Sequence, residues 1–325
     1  MTDEPLIDVC DKVNLMQYRE KRGEWLYLLN NDEHHAIWKQ IMAMIWDDLS
    51  FHILNKSRKP NSSATNPLLA NFIDRGYILG QVIALRKLVE NNPKKPEKGV
   101  ISLRRLLADL CKNIGLLTRE IYVSHDGLPY DYEAVERQWW EQHLGQISNG
   151  NHTIMSYIPT TGSGAFNMSK RSHEQFDKLS GVRPENRSRT DCISASVFCT
   201  LNRWIEDSGA EAIIKMGNKF LAHAADSVSR ASVSIKMEGI SINKIAAAHR
   251  TFVRVAHVIS SDILRDTCYV SVVPCPQYNQ FENINLPYVD VKALHDLRQL
   301  WDTYTKERNG WLSGVIGELI TKPTE

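Results

Sequence analysis

Ser102-Leu103-Arg104-Arg105-Leu106-Leu107-Ala108-Asp109-Leu110-Cys111-Lys112-Asn113-Ile114-Gly115-Leu116-Leu117-Thr118-Arg119-Glu120-Ile121 is the most strongly patterned stretch of the chain. Leu103, Leu106, Leu107, Leu110, Ile114, Leu117 and Ile121 recur every three to four residues. That is the period of a helix with one apolar face, not the alternation of a strand. Ser102 suits the N-cap, where a hydroxyl oxygen accepts a backbone N–H that the first turn leaves unpaired. A helix with such a stripe is stable only when packed on others, so the stretch predicts helix-on-helix layers.

Working outward, the same period predicts a helix over Pro67 to Glu90, with proline in its first turn and Phe72, Ile73, Leu79, Ile83 and Leu88 on its apolar side. Gly76 and Gly80, four apart on one face, predict a second helix passing close by. Glu33 to Lys56 forms another, carrying Ile37, Ile41, Met44, Ile45 and Leu49. Downstream, Asp191 to Ser208, Ala210 to Ala225, Ser241 to Leu264 and Val289 to Arg308 read as helices. Between Ser124 and Thr190 the pattern weakens to one short helix near Asp131 to Gln146, with Pro159 to Gly164 and Val182 to Arg189 as polar loops. Alternation in Ala231 to Met237 and the β-rich run Tyr269 to Val273 predict one short two-stranded β ribbon. The fold class is therefore all-α: an antiparallel helical bundle with an irregular insertion. Its divisions are an N-terminal segment (1–32), the first half of the bundle (33–123), the insertion (124–190), the second half (191–265) and a helical C-terminal extension (266–325).

A hydrophobic fraction of 42% with 24% charged residues fits a folded globular chain of 325 residues, not a disordered one. Lys plus Arg number 39 against 38 for Asp plus Glu. Bulk charge thus gives no hold on nucleic acid, and any phosphate contact needs a local patch. The opening MTDEPLIDVCDK lacks the basic and apolar regions of a signal peptide. No membrane span is expected, and the expected location is cytoplasmic. None of the six cysteines forms a Cys-x-x-Cys pair, so free thiols are expected, with Cys192 and Cys199 buried two turns apart on one helix face.

The segment that can carry chemistry is Lys215-Met216-Gly217-Asn218-Lys219-Phe220-Leu221-Ala222-His223-Ala224-Ala225-Asp226. Lys215, Lys219 and His223 are spaced four apart and share one stripe of a helix. An imidazole titrating near neutrality suits proton transfer, and ammonium groups beside it suit phosphate. His249 and His257 lack a carboxylate partner for a metal, and His249 lies in an apolar stripe. Trp139-Trp140 and the cations Arg183, Arg187 and Arg189 offer weaker hints of base stacking or phosphate contact.

The Asn-Lys-x-x-Ala-His-x-x-Asp run of Asn218 to Asp226 resembles the late helix of HEPN-domain proteins, in the branch named after a type-U abortive-infection system. Gly80 to Arg86 and Ile101 to Leu107 resemble that branch's paired early helices, so the likeness covers about Glu33 to Arg265. It implies a helical bundle, a homodimer, RNA as partner and metal-independent endoribonuclease activity without a cofactor. His223 would transfer protons and Asn218 orient it or the phosphate, while Lys219 and Lys215 supply charge beside Asp226. It also implies a prokaryotic defence or toxin system, with an antitoxin or defence protein as a further partner. One departure stands out: the family's motif Arg should fall at Met216, Gly217 or Asn218, and no arginine is there. A lysine is a point cation, not a planar fork, and losing such a group typically slows a reaction by about 10²–10³. The other readings are a non-catalytic helical scaffold or interaction protein acting as a dimer, and an enzyme whose site lies in the Ser124 to Thr190 insertion.

Overall fold

The computed structural model describes residues 8–57, 66–90, 99–148, 162–219, 241–266, 271–284, 286 and 294–310. Among them are eleven α-helices and no strand. They are α1 (Lys12–Leu26), α2 (Ile37–Ser57), α3 (Pro67–Val89), α4 (Leu103–Lys112), α5 (Arg119–Ser124), α6 (Tyr132–Ser148), α7 (Gly162–Ser180), α8 (Ala195–Asp207), α9 (Ala210–Gly217), α10 (Ile242–His257) and α11 (Leu294–Gly310). The chain divides into two compact units, Met1–Pro274 and Cys275–Glu325. The first holds α1 to α10 and the second holds α11.

The leucine-rich stretch sits at the centre of the first unit's core. Leu103, Leu106, Leu107 and Leu110 are each 0% exposed, and α4 packs on α3 and α8. Ser102 caps α4, its Oγ accepting from the Arg105 N–H at 3.1 Å. The stretch is not one continuous helix. At Asn113 the N–H is shared between the Asp109 and Leu110 carbonyls, the chain tightens into a 3₁₀ turn over Ile114–Leu116, and Thr118 starts α5 as a new N-cap. Apolar spacing runs through this break because both pieces face the same core.

α2 and α3 are antiparallel: Gln81 donates to the Met44 carbonyl, Tyr77 to Asp48, and Phe51 stacks on Tyr77 at 3.8 Å between ring centroids. The sequence pattern does not distinguish α1, whose buried residues are only Leu15, Tyr18 and Trp25. Trp25 is fully buried and its Nε1 donates to Asp109. Both α1 and α10 end in π-helical turns, Tyr27–Asn31 and Val258–Ile263. These ends are joined by Arg22, which donates to the Leu264 and Arg265 carbonyls, and by Asn30, which donates to Asp266. Arg265 has φ of 49°, a left-handed conformation costly for a side chain with a Cβ. Its guanidinium in turn caps the end of α5 through the Tyr122 carbonyl at 2.7 Å.

The region expected to be an irregular insertion contains α6 and α7, and α7 packs on α5 as well as on α6. The Gly162-Ser163-Gly164 tract, expected as a loop, opens α7. Its periodicity was hidden because much of the buried face of α7 is small or polar: Ser163, Ala165, Ser169, Ser172 and His173 beside Phe166, Phe176 and Leu179. The arginine-rich run that follows is tied down as well. Arg119, 0% exposed, donates to Asp177 at 2.7 Å and to Asp191 at 2.9 Å and lies over the Phe176 ring. Arg187 donates to the other Asp177 oxygen at 2.6 Å, and Arg189 pairs with Asp8 and covers Tyr130. Burial pushes the Asp177 carboxyl up, but Arg187 and Arg119 outweigh it and hold it below the usual range.

One further expectation changes. Cys192 and Cys199 are exposed, not buried, and with Cys10, Cys111 and Cys275 they are free thiols. The first β-ribbon partner, 231–237, lies outside the described residues, as do 269 and 270, and 271–273 form no strand. α3 is long and apolar enough to span a membrane by length and composition alone, and only 22% of that window is buried.

Replacing Arg119 by Met keeps volume but leaves Asp191 without its buried partner. Unfolding in urea should show a loss of about 3–5 kcal/mol; a loss below about 1 kcal/mol would mean the cluster behaves as a solvated surface pair. His125 offers a second test. It is buried against the edge of Tyr18, its Nδ1 donates to the Ile121 carbonyl, and burial lowers its pKa to about 4, with Asp126 opposing and Arg22 and Arg265 adding. A depressed histidine favours the neutral form when folded, so stability should fall as pH drops from about 6.5 towards 4, by up to roughly 3 kcal/mol. Thermal midpoints across that window should show the loss, and His125→Gln should flatten it; a flat parent profile refutes the assignment.

Candidate functional site

α9 begins at Gly209, whose φ of 77° puts the backbone where glycine alone is at ease. Its buried residues are Ala210, Ile213 and Gly217, spaced three and four apart, and the helix packs on α3, α8 and α10. Lys215 is exposed in the last turn, where a cation also complements the helix dipole. Asn218 keeps helical angles (φ −60°, ψ −43°), and its N–H is shared by the Ile214 and Lys215 carbonyls. Asn218 and Lys219 are both half-buried. Of the five residues singled out from the sequence, these three are described; His223 and Asp226 lie outside the described residues.

Gly217 marks the place where the motif arginine is missing, and its surroundings explain the glycine. A Cβ there would stand 2.4 Å from Val82 Cγ1 and 3.1 Å from Val82 Cβ. α9 and α3 therefore approach too closely for any side chain, and the branched Val82 cannot swing away from its own helix. The position points into a helix crossing.

The residue next to Val82 anchors a second polar group. Gln81, 1% exposed, donates from Nε2 to the Met44 carbonyl at 3.1 Å, which turns its Oε1 towards His249 Nε2 at 2.8 Å. An oxygen can only accept, so His249 carries its proton on Nε2 and leaves Nδ1 bare. That bare nitrogen faces Asp48 Oδ2 at 3.9 Å. Asp48 accepts from Tyr77 Oη at 2.5 Å and has His52 Nε2 3.7 Å away. Burial lowers the His249 pKa, with Asp48 pulling it up and His52 down. Burial and Asp48 together raise the Tyr77 hydroxyl.

His249 itself is a satisfied core residue, as its place in the apolar stripe predicts. Asp48 and Gln81 escape a reading by period alone. Gln81 could have been found, since it interrupts the buried run Tyr77, Val82, Leu85 and Leu88 of α3 with a polar side chain. Among the described residues no group of three or more His, Cys, Asp or Glu side chains is placed to hold a metal ion. Trp139 stacks on His143 and meets Phe166 edge-on, whereas Trp140 is 42% exposed. Arg187 and Arg189 are held in ion pairs, while Arg183 is exposed. No protein-family model, curated protein or solved structure matches this chain.

The crossing makes a direct prediction. Gly217→Ala should cost about 1–3 kcal/mol through overpacking, although alanine is the better helix former. Val82→Ala in the same chain should recover much of that loss, so the two changes together cost less than their sum. Additive losses in chemical denaturation would show that the helices do not meet there.

Proposed function

We propose that this chain is a HEPN-like antiparallel helical bundle that binds RNA, and that any metal-independent cleavage it performs is weak. The observation that carries the reading is the split between the two sides of α9: Lys215 is exposed while Gly217 is closed against Val82. A cation is thus offered to solvent at the motif, but no guanidinium can be fixed beside it. Phosphate binding needs only the charge, whereas catalysis also needs a positioned donor for the developing oxyanion. In this reading Lys215 and Lys219 contact phosphate, Asn218 orients it, His223 moves the proton, and Asp226 is a further substrate-binding residue. The resemblance sets such a protein in a prokaryotic defence or toxin system, with an antitoxin or defence protein as its regulator.

Single-stranded RNA titrated against the full chain at several salt concentrations tests this. Affinity should fall as salt rises, and Lys215→Ala should weaken binding and reduce the log–log slope by about 0.7. Slow cleavage without added metal should vanish in His223→Ala while the melting temperature holds. Absence of binding at low salt, or a Lys215→Ala variant identical to the parent, overturns the proposal.

A second reading, a non-catalytic interaction protein, is favoured by α11 of the second unit. Leu297, Leu300, Trp301 and Tyr304 lie at three- and four-residue spacing and are 43%, 61%, 65% and 55% exposed. Such a face is wider than scattered surface leucines explain. It would account for a protein that binds no RNA and is indifferent to His223→Ala.

A further inference from the structure

The solvent face of α3 is built wrongly for water. Leu68, Leu69, Phe72 and Ile83 are 66%, 46%, 76% and 45% exposed. Leu69, Phe72, Gly76, Gly80, Ile83 and Lys87 follow one another at three- and four-residue steps, so they form one stripe. The two glycines were expected to mark a helix passing close by, yet among the described residues nothing comes within 4 Å of a Cβ built on either. Beside them a groove of about 240 Å³ runs between α3 and α2, walled by Phe51, Leu54, Ile73 and Tyr77. Leu54 is itself 41% exposed, so the apolar surface continues from α3 onto α2. The charges around it are nearly all of one sign. Arg75 and Arg86, three turns apart, stand on the flank of α3 turned away from α2, and Lys87 closes the C-terminal end of the stripe; all three are exposed. Asp74 is the only acid within α3 and is half-buried, and Glu90 just beyond the helix pairs with Arg86 at 3.9 Å. From 49 to 73 the sequence has no Asp or Glu, while Lys56 lies in the last turn of α2. Asp47 is the one acid lining the groove, and burial raises its carboxyl.

We infer that this face docks on an anionic lipid surface, with α3 lying in the plane of the headgroups and Leu69, Phe72 and Ile83 entering the acyl boundary. By length and composition α3 could cross a bilayer, and only 22% of that window is buried. A helix apolar to that degree is ordinarily enclosed by its own protein or by lipid. It cannot span here, because Tyr77, Val82, Leu85 and Leu88 hold its other side in the core. An interfacial position satisfies both constraints: the core keeps one side and the membrane surface takes the other. The cations sit where that position needs them. Arg75 and Arg86 on the flank can lay their stems along the apolar surface and carry their guanidinium groups up to the phosphates, as Lys87 can at the end. A protein partner would have to match a rim that is almost wholly cationic, whereas acidic headgroups do so along the whole plane. The inference rests on neither the resemblance nor RNA. α9 meets α3 on its buried side through Val82, so the lipid face and the Lys215 face do not overlap.

Co-sedimentation of the full chain with two kinds of vesicle decides it, phosphatidylcholine alone and phosphatidylcholine mixed with phosphatidylserine. The parent should pellet with the mixed vesicles, less with the neutral ones, and less again as salt rises. Phe72→Ser should abolish pelleting while the melting temperature holds, since the ring is exposed. Arg75→Ala and Lys87→Ala should each weaken binding to the mixed vesicles by about fivefold and leave the neutral vesicles unaffected. A parent that stays in solution with the mixed vesicles overturns the inference. If that parent instead forms an oligomer that Phe72→Ser dissociates, the face belongs to a protein contact. Equal pelleting with both kinds of vesicle, or a Phe72→Ser variant that pellets like the parent, overturns it equally; the latter would place any lipid binding on cations elsewhere.

Discussion

Val82 of α3 meets Gly217 of α9 with no side chain between them, and the candidate site is arranged around that contact. Two helices this close cannot rotate about their axes without a clash, because packed interiors leave no slack. The contact therefore sets which way α9 turns: Ala210 and Ile213 go inward with Gly217, and Lys215 goes out. One residue along α3, Gln81 fixes a proton on His249 Nε2 and leaves Nδ1 towards Asp48. Position on α3 thus governs both a solvent-facing cation and a buried histidine.

α3 also divides the molecule's chemistry by side. Its inner face holds Val82, Leu85 and Leu88 in the core together with the polar Gln81. Its outer face combines exposed apolar side chains with two glycines beside a groove. A helix that is apolar nearly all round is ordinarily buried in a core or a bilayer. Here only part of it is, and Leu68, Leu69, Phe72 and Ile83 stand exposed.

Arg119 performs the corresponding task where α5 meets α7. A fully buried guanidinium is tolerated only when carboxylates surround it, and Asp177 from α7 and Asp191 from the following loop do so. Because those partners are distant in sequence, the ion cluster binds α7 and the run 187–191 to the start of α5. The order of this region rests on charge pairing as well as on apolar surface, so a reading based on hydrophobic period passes over it.

The sequence by itself determined that the described chain is all-α, because the period of Leu103 to Leu110, of Ile37 to Leu49 and of Ile245 to Ile259 is a local property that no packing arrangement alters. It marked Gly217 as a departure and Lys215 as a cation on the same turn. It missed α7, whose buried face is largely serine, alanine and histidine, and it buried Cys192 and Cys199 on a helix face that packing left exposed. Tertiary structure alone decided why position 217 is glycine, where the proton sits on His249, and that among the described residues nothing stands against Gly76 and Gly80. Each of these depends on a distance between residues far apart in sequence, and the spacing of residues along one helix carries no record of what stands across from it.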